Sequence, residues 1–354
     1  MRPADKELRN PGCVRIYFMS PCGSLEPSPA ARLFHCRPQL NSSVMPSPAV
    51  PSCKNLINVR PSLLPPASLA LGLALVACGT VAPPGTGHMP ATWYAGGPVC
   101  SGRPVFHVRE YHPGFFILRQ PACTNYEKPF LYLVVGQTRA LLLDTGAGGI
   151  AVAAPIDSIL DAWRAAHGGA PRELVVAHSH GHRDHTAGDD QFRGRAGVTL
   201  VEPEAAGVRA FFGFRAWPTD VVPFDLGERV LDVLAIPGHE PASLAFYDRA
   251  TSVLLTGDTF YPGRLYVRDT TAFASSTARL VAFTASRPVS AILGTHIEQA
   301  RTPFTDYPVG TRDQPDEDHL ELSRAELVTL DSAVHTMRGR FVRTRLPRFT
   351  IWPL

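Results

Sequence analysis

The sequence predicts an α/β fold in which a sheet core is flanked by helices. Short apolar segments alternate with segments of helical spacing over residues 105–354, and hairpins occur together with longer crossovers. Hydrophobic residues make up 45% and charged residues 18% of the 354 residues, so most of the chain can bury a core. This composition excludes a fully disordered chain, and residues 105–354 are expected to form a single domain.

The N-terminal residues 1–58 are not expected to fold. They are rich in Pro and Ser, show no sustained hydrophobic periodicity and contain four of the seven cysteines. Such a segment buries too little apolar surface to offset the entropy that ordering costs. We expect either a disordered extension or sequence that precedes the true translation start, which would then lie near Met45 or Val59.

Residues 59–78 are predicted to be an export signal. Arg60 gives a basic start, Ala67–Ala77 is an apolar run of 11 residues, and a small residue precedes Cys78. These features are typical of a secretory signal, and the run is too short to span a bilayer. A short buried helix is the alternative interpretation.

The four residues that end at Cys78 resemble the lipobox of bacterial lipoproteins. The resemblance implies cleavage before Cys78 and lipidation of its sulfur. We therefore expect an exported protein of the bacterial cell envelope or periplasm that is held at the membrane by a lipid anchor. Residues 79–104, which are rich in Gly and Pro, are predicted to link this anchor to the domain.

Two cysteines follow the export signal, Cys100 and Cys123. An even pair in an exported domain indicates a disulfide bond. Two free buried thiols are the alternative, because the sequence does not show whether the two Cα atoms lie within bridging distance.

Apolar runs in the first part of the domain predict five strands and one helix. The strands are Val105–Glu110, Phe115–Arg119, Phe130–Val135, Ala140–Leu143 and Glu173–Ala177, with a hairpin turn at Gly136-Gln137. A helix over Ile156–Ala166 is indicated by four residues that recur on one face, namely Ile156, Ile159, Leu160 and Trp163.

The second part of the domain continues the alternation without an internal repeat. Strands are predicted at Val198–Glu202, Val230–Ile236, Leu244–Tyr247, Val253–Leu255 and Ala291–Leu293. Helices are predicted at Arg279–Ser286 and Ser323–Met337.

A histidine-rich segment follows the strand Glu173–Ala177. Residues 178–185 read His-Ser-His-Gly-His-Arg-Asp-His and hold four of the 13 histidines. Imidazole and carboxylate together suit zinc. On a turning backbone His180 and His182 can face one ion, while Asp184 and His185 can face a second position. A register that begins at His178 is possible on spacing alone, but it leaves no Asp-His pair at this offset.

The segment from His180 to His185 resembles the His-x-His-x-Asp-His motif of the metallo-β-lactamase superfamily. The other elements of the family's pattern follow predicted strands in the family's order. They are Leu143-Asp144-Thr145-Gly146, Pro237-Gly238-His239, Thr256-Gly257-Asp258-Thr259 and Gly294-Thr295-His296. The resemblance covers about residues 105–300 and implies a four-layer αββα sandwich with one catalytic domain.

The resemblance implies a binuclear zinc site, with iron as the alternative metal. The first ion would be bound by His180, His182 and His239, and the second by Asp184, His185 and His296. Asp258 would bridge the two ions. Asp144 would lie behind these ligands, where it receives a ligand N–H or braces the loop.

Such a site implies hydrolysis. Two zinc ions lower the pKa of a bridging water towards about 7, so a hydroxide can attack a carbonyl-type bond of a small molecule at neutral pH. Asp184 would both bind metal and orient this hydroxide. The scissile bond belongs to a lactone, an ester, a thioester or an amide.

The ligand set is similar to that of glyoxalase II-like and lactonase-like members. Asp258 argues against a true β-lactamase, since those enzymes lack this Asp, and His182 argues against the di-iron branch, which has an acidic residue there. Only 58 residues follow His296, too few for the helical domain with which the glutathione-thioester hydrolases bind glutathione. A β-lactamase, a mononuclear iron dioxygenase of the same fold and a non-catalytic envelope lipoprotein are the alternatives.

The residues that follow Asp258 are predicted to form a loop over the metals. In this loop Tyr261 would donate to an oxyanion and Arg264 would bind a substrate carboxylate. Aromatic packing with a surface arginine is the alternative. Glu298 is expected either to orient a ligand or to be a surface carboxylate. His178, Asp189 and Asp190 are expected behind the ligands or in solvent.

The charge distribution argues against a nucleic-acid partner. Residues 79–354 contain 26 Lys and Arg residues against 28 Asp and Glu residues. A polyanion-binding surface needs an excess of basic side chains to neutralise phosphates. We expect a small-molecule substrate, and the sequence indicates no protein partner.

Overall fold

The computed structural model describes residues 87–93, 99–169 and 171–354. The predicted extension 1–58 and the predicted export signal 59–78, with Cys78, lie outside the described residues. Among the described residues, no helix is both long enough and apolar enough to cross a membrane.

The described part of the domain begins with strands and one long helix. In chain order these are β1 (His107–His112), β2 (Phe115–Arg119), β3 (Phe130–Val135), β4 (Arg139–Leu143), α1 (Ala153–Ala166), β5 (Glu173–Ala177), the four-residue helix α2 (Arg183–Thr186), a 3₁₀ turn (Asp189–Gln191) and β6 (Val198–Leu200). The second part contains α3 (Ala205–Phe212), β7 (Val221–Asp225), β8 (Val230–Ala235), β9 (Leu244–Asp248), β10 (Val253–Gly257), β11 (Arg264–Val267), α4 (Thr270–Thr284), β12 (Ala291–Gly294), β13 (Glu321–Leu322), α5 (Arg324–Thr336), β14 (Thr344–Arg345) and β15 (Thr350–Pro353).

These strands form two six-stranded mixed sheets and one small sheet. The first sheet has the order β1-β2-β3-β4-β5-β6 and changes from antiparallel to parallel pairing at β4. The second has the order β13-β12-β10-β9-β8-β7, in which only β10 and β12 pair in parallel. The third has the order β11-β15-β14.

Successive side chains of a strand point to opposite faces of its sheet and so pack into different layers of the fold. In β2, Phe115 and Ile117 belong to the core between the two large sheets, whereas Phe116 and Leu118 belong to the cluster that contains α1. The outer face of the second sheet packs on α4 and α5. The fold is therefore a four-layer αββα sandwich, as predicted. Because both faces of the inner strands are buried, their sequences read as continuous apolar runs.

The long elements were predicted and several short ones were not. Every predicted strand and helix has a counterpart, with ends that differ by a few residues; α4 begins nine residues before the predicted Arg279. The elements α2, α3, β7, β11, β13, β14 and β15 and the 3₁₀ turn were missed. Strand β7 contains Pro223 and has an exposed valine, Val221, so it lacks the apolar run that indicates a buried strand.

Part of the predicted linker 79–104 packs on the domain. Trp93 is 5% exposed, and its ring lies edge-on to Phe130 at 5.1 Å. Further along, Cys100 and Cys123 are joined by a disulfide bond, in agreement with the prediction, with their Cα atoms 5.3 Å apart. This bond ties the segment that precedes β1 to the connection between β2 and β3.

Candidate metal centre

The sequence-predicted ligands meet at one edge of the two large sheets. Strands β4 and β5 are parallel, and so are β10 and β12, so the residues that follow their C-terminal ends lie side by side. The histidine-rich segment follows β5, Asp258 follows β10, and His296 follows β12. His239 follows β8 in the second sheet. The fold thus brings together residues up to 116 positions apart in the sequence.

The first donor group consists of three imidazoles. The Nε2 of His180 lies 2.9 Å from Nδ1 of His182 and 3.2 Å from Nε2 of His239, and the remaining nitrogen pair is 3.1 Å apart. Nitrogens bound to one tetrahedral zinc ion, at about 2.0–2.1 Å each, lie about 3.3 Å from one another. The three nitrogens therefore fit a single ion of this size.

The second donor group contains Asp184, His185, Asp258 and His296. Oδ2 of Asp184 lies 3.2 Å from Nε2 of His185 and 3.3 Å from Nε2 of His296. Oδ1 of Asp258 lies 3.6 Å from the first of these nitrogens and 3.4 Å from the second. Mixed imidazole and carboxylate donors at this spacing also fit a divalent transition metal.

Asp258 connects the two donor groups. While its Oδ1 belongs to the second group, its Oδ2 lies 3.8 Å from Nε2 of His180 and 3.7 Å from Nε2 of His239. The hydroxyl of Thr295 donates a hydrogen bond to Oδ1 and so fixes the carboxylate. A carboxylate with one oxygen towards each group is suited to bridge two ions.

The other ring nitrogens of the ligands are held by acceptors behind the site. Nδ1–H of His239 donates to the carbonyl of Tyr266 at 2.8 Å, and Nδ1–H of His296 donates to the carbonyl of Glu127 at 2.9 Å. Nδ1–H of His185 donates to Oδ2 of Asp144 at 2.9 Å. These bonds place the proton on Nδ1, so Nε2 presents its lone pair to the centre.

Asp144 braces the turn that carries the histidines. Besides His185 it accepts hydrogen bonds from the backbone N–H and the hydroxyl of Ser179, at 2.7 and 2.9 Å. Asp144 is fully buried and has a φ of 71°, a left-handed conformation that Asp tolerates better than most residues. Asp144 thus lies behind the imidazoles, where it contacts both Ser179 and His185.

The electrostatics of the two donor groups differ. Burial lowers the pKa of His180 and of His182. Burial acts in the same direction on His296, but the carboxylates of Asp258 and Asp184 outweigh it and raise the pKa of His296 to about 9. In turn, despite its burial, Asp258 has a pKa well below its usual value because His296 and His185 stabilise the carboxylate. Without a metal ion at pH 7, His296 therefore holds a proton, whereas His180 and His182 do not.

A cleft of about 280 Å³ opens over both donor groups. Its walls comprise Glu127, His182, Asp184, His239, Asp258, Tyr261, Tyr266, Arg268, His296, Glu298 and Leu354. Three of the wall residues had no signal in the sequence, namely Glu127, Arg268 and Leu354. Tyr266 belongs to the segment after Asp258 that was predicted to lie over the metals.

The structure places Arg264 elsewhere than the sequence predicted. Its guanidinium does not line the cleft; it is 4% exposed, and it pairs with Glu298 at 2.8 Å and Asp306 at 2.6 Å. Tyr261 lines the cleft, but its hydroxyl donates to the carbonyl of Arg264 and lies 3.2 Å from Glu298. The predicted loop is shorter than expected because Arg264 already begins β11. Arg264 therefore forms ion pairs inside the protein and is not placed to bind a substrate carboxylate.

The remaining polar residues lie outside both donor groups. His178 is buried, and its Nε2 lies 2.9 Å from Oδ1 of Asp189, which also accepts a hydrogen bond from the hydroxyl of Thr145. Asp190 has a 97% exposed side chain. The donor groups therefore use His180 and His182, and not the alternative pair His178 and His180. Glu298 lies at the wall of the cleft, where it holds Arg264 rather than a metal ligand.

The chain is similar to known proteins. The family model of the metallo-beta-lactamase superfamily matches residues 128–308, just over half of the chain. An acyl-coenzyme A thioesterase, MBLAC2 of Gallus gallus, is 27% identical over 212 residues, which is 49% of this chain and 68% of that protein. A hydroxyacylglutathione hydrolase of Methylococcus capsulatus is 33% identical over 137 residues, 36% of this chain and 50% of that protein.

The chain also resembles a solved structure at low sequence identity. A metallo-beta-lactamase from Pontibacter korlensis is 16% identical, with a TM-score of 0.43, and the match covers 65% of this chain and 99% of that one. The family model covers every predicted ligand from His180 to His296. We conclude that the chain belongs to the metallo-β-lactamase superfamily and is a metal-binding hydrolase of that superfamily.

Proposed function

We propose that this protein uses two divalent metal ions, with zinc as the expected metal, to hydrolyse a thioester of a small molecule. The observation that carries the proposal is the placement of Asp258, whose two oxygens face the two donor groups. One ion would be held by His180, His182 and His239. The other would be held by Asp184, His185 and His296, and Asp258 would keep both at a fixed separation.

Residues around the two donor groups would orient the attacking water and the metal ligands for this hydrolysis. When bound, two such ions supply a water-derived nucleophile at neutral pH and polarise the carbonyl of the substrate. Asp184 has a 24% exposed side chain at the floor of the cleft, so it can orient the attacking water. Asp144 and the carbonyls behind His239 and His296 keep the imidazoles aimed at the centre.

The relatives favour a thioester over a lactone, an ester or an amide. Their names denote cleavage of an acyl group from a thiol carrier, coenzyme A in one case and glutathione in the other. A cleft of about 280 Å³ accommodates the acyl group and the thioester, but not a whole carrier of that size. Because the cleft is open to solvent, the carrier would extend past the exposed side chains of Arg268 and Leu354.

Release of free thiol by the zinc-loaded protein tests the proposal. We expect chelator-sensitive turnover of acyl-coenzyme A or acylglutathione, about two zinc ions per chain, and loss of turnover in Asp184→Asn. Asp190→Asn, which changes an exposed carboxylate of the same segment, should behave as wild type. Hydrolysis of a chromogenic β-lactam or a lactone but of no thioester would refute the assigned substrate.

Metal analysis separates the proposal from its alternatives. A single iron per chain with consumption of oxygen would instead support a dioxygenase. Weak metal binding without turnover of thioesters, lactones or β-lactams would support a non-catalytic protein. Either result would overturn the two-metal hydrolase.

We also propose that the protein is exported and lipid-anchored through Cys78. The disulfide bond between Cys100 and Cys123 supports an oxidising compartment, and residues 75–78 resemble a lipobox. The native protein should incorporate radiolabelled fatty acid and sediment with membranes, and Cys78→Ser should abolish both. Labelling that persists in Cys78→Ser would place the lipid elsewhere, and absence of label in the wild type would refute the anchor.

A further inference from the structure

A second polar cavity lies beside the segment that leads into β3. It shares no residue with the walls of the metal cleft, and it is lined among others by Trp93, Arg119, Lys128, Arg312 and Glu317. The cavity has a volume of about 10 Å³, which suits one atom-sized guest better than a carboxylate or a phosphate.

Two buried donors of this cavity have no acceptor among the described residues. They are Nε1 of Trp93 and Nε of Arg119, in side chains that are 5% and 3% exposed. Both side chains rest on the same ring: Trp93 lies edge-on to Phe130 at 5.1 Å, and the guanidinium of Arg119 lies 4.8 Å above it. Because buried N–H groups are nearly always paired, two unpaired donors that line one cavity indicate a guest that accepts from both.

The walls also carry an excess of positive charge. Arg119, Lys128 and Arg312 face a single carboxylate, Glu317, and Arg119 already engages both oxygens of that carboxylate with its terminal nitrogens. The ammonium of Lys128, although its side chain is buried, has one long hydrogen bond, to the carbonyl of Thr311 at 3.3 Å. Burial and the neighbouring Arg119 lower the pKa of Lys128 to about 8, because they outweigh the carboxylates of Glu317, Glu298 and Glu127. These carboxylates therefore compensate the charge only in part.

We propose that this cavity is a binding site for one small monatomic anion, such as chloride. The anion would accept hydrogen bonds from Nε1 of Trp93 and Nε of Arg119 and would balance the charge of Lys128. A water molecule could accept from the same two donors, but it would leave the positive charge uncompensated.

The anion site lies beside the chain segment 127–130, which contacts the part of the metal centre around His296. Lys128 follows Glu127, whose carbonyl accepts Nδ1–H of the metal ligand His296. Two residues later, the backbone N–H of Phe130 donates to the carbonyl of Thr295 at 2.8 Å. An anion that neutralises Lys128 would therefore stabilise the segment that supports one wall of the metal centre.

Thermal unfolding of the full chain with a fixed metal content tests the site. At constant ionic strength, we expect the melting temperature to rise saturably as sodium chloride replaces sodium gluconate. Trp93→Phe keeps an aromatic ring against Phe130 but removes the donor, and it should weaken the apparent chloride affinity at least about tenfold, because a hydrogen bond to a charged group is lost. Trp163→Phe, which changes a tryptophan stacked on His167 at 3.8 Å, should leave that affinity unchanged. Equal melting in both salts, or an unchanged chloride response in Trp93→Phe, would overturn the proposal.

Bromide provides a test that needs no variant. In crystals of the wild-type chain grown in sodium bromide, anomalous scattering should show one ion within hydrogen-bond distance of Trp93 Nε1 and Arg119 Nε. A peak without anomalous signal at this position would be a water molecule and would refute anion binding. The test stands even if Trp93→Phe does not fold, and it does not depend on the proposed hydrolysis.

Discussion

At the scale of single residues, the metal centre depends on where each imidazole carries its proton. Five histidines contribute to the two donor groups, and four of them present Nε2 while His182 presents Nδ1. For His185 the acceptor that fixes the tautomer is a side chain, Asp144, rather than a backbone carbonyl. This dependence makes Asp144 the residue at which a change of one atom should disturb the site.

We predict that Asp144→Asn weakens binding of the second metal ion by about 10–100-fold. The amide NH₂ cannot accept from Nδ1–H of His185, so the imidazole would shift its proton to Nε2 and lose the lone pair that faces the centre. Zinc titration with a competing chromophoric chelator measures the effect. Asp189→Asn is the matched control, because Asp189 pairs with His178 outside both donor groups. Equal affinities in the two variants would contradict the role of Asp144.

Protons compete with the metal ion at His296 but not at His180 or His182. Because the carboxylates outweigh burial and raise the pKa of His296 to about 9, the metal-free protein carries a proton on this ring at pH 7. Binding of the second ion must displace that proton, so its affinity should rise at least about tenfold per pH unit up to about pH 9. The lowered pKa of His180 and of His182 predicts that these two imidazoles add no pH dependence to binding of the first ion over the same range.

Calorimetry in buffers of different ionisation enthalpy checks this prediction. At pH 7 the second binding event should release at least one proton, and the first should release none from His180 or His182. Two binding events with the same proton release would show that the donor groups do not differ in this way.

At the scale of elements, the short strand β11 connects the metal centre to the end of the chain. Its backbone pairs in parallel with β15, and its side chains alternate between the buried cluster under α4 and the cleft. Arg264, the first residue of β11, is held by Glu298, which follows His296, and by Asp306 further on. A buried cation between two carboxylates thus fixes β11 against the segment that carries a metal ligand.

We predict that Arg264→Met lowers the free energy of unfolding by about 3 kcal/mol, because two partly buried carboxylates lose their partner. Urea denaturation measures this loss, and Arg264→Lys should recover part of it by restoring the charge. Arg268→Met changes an exposed arginine at the cleft and should leave the stability within about 0.5 kcal/mol of wild type. A normal stability of Arg264→Met with a raised KM would instead support substrate recognition by Arg264.

At the scale of the whole molecule, the sequence predicted the sandwich and the donor groups because both depend on strong local signals. Inner strands such as Phe130–Val135 are buried on both faces and read as apolar runs, and every ligand directly follows or lies near the end of such a strand. The ligand motifs therefore predict from the sequence alone that His180 and His296 lie at strand ends and bind neighbouring metal ions.

Features that depend on distant partners could not be predicted in this way. The direction of the Arg264 side chain is decided by Asp306, 42 residues away, and nothing in the local sequence reveals it. Trp93 lay in a stretch rich in Gly and Pro that predicted a linker, yet it packs on Phe130 in the core. The edge strand β7 was missed because its exposed residues and Pro223 hide the strand pattern.

The disulfide bond is the covalent link between the N-terminal segment and the sandwich, and its contribution can be measured. Cys100 and Cys123 are 23 residues apart, so the bond should stabilise the protein by roughly 3 kcal/mol, mainly by restricting the unfolded chain. We predict that the double variant Cys100→Ser, Cys123→Ser loses this amount in oxidising buffer. In reducing buffer, wild type and variant should unfold at the same urea concentration.

We expect the metal centre to keep its zinc when the disulfide bond is removed. The connection between β2 and β3 is also held by hydrogen bonds from Arg312 to the carbonyl of Cys123 at 3.0 Å and from Asn125 to the carbonyl of Ala147 at 3.2 Å. Zinc content measured after gel filtration should therefore equal that of wild type, although global stability falls. If zinc is lost together with stability, the disulfide is needed to keep the carbonyl of Glu127 against His296, and the two remaining hydrogen bonds are not sufficient to position that ligand.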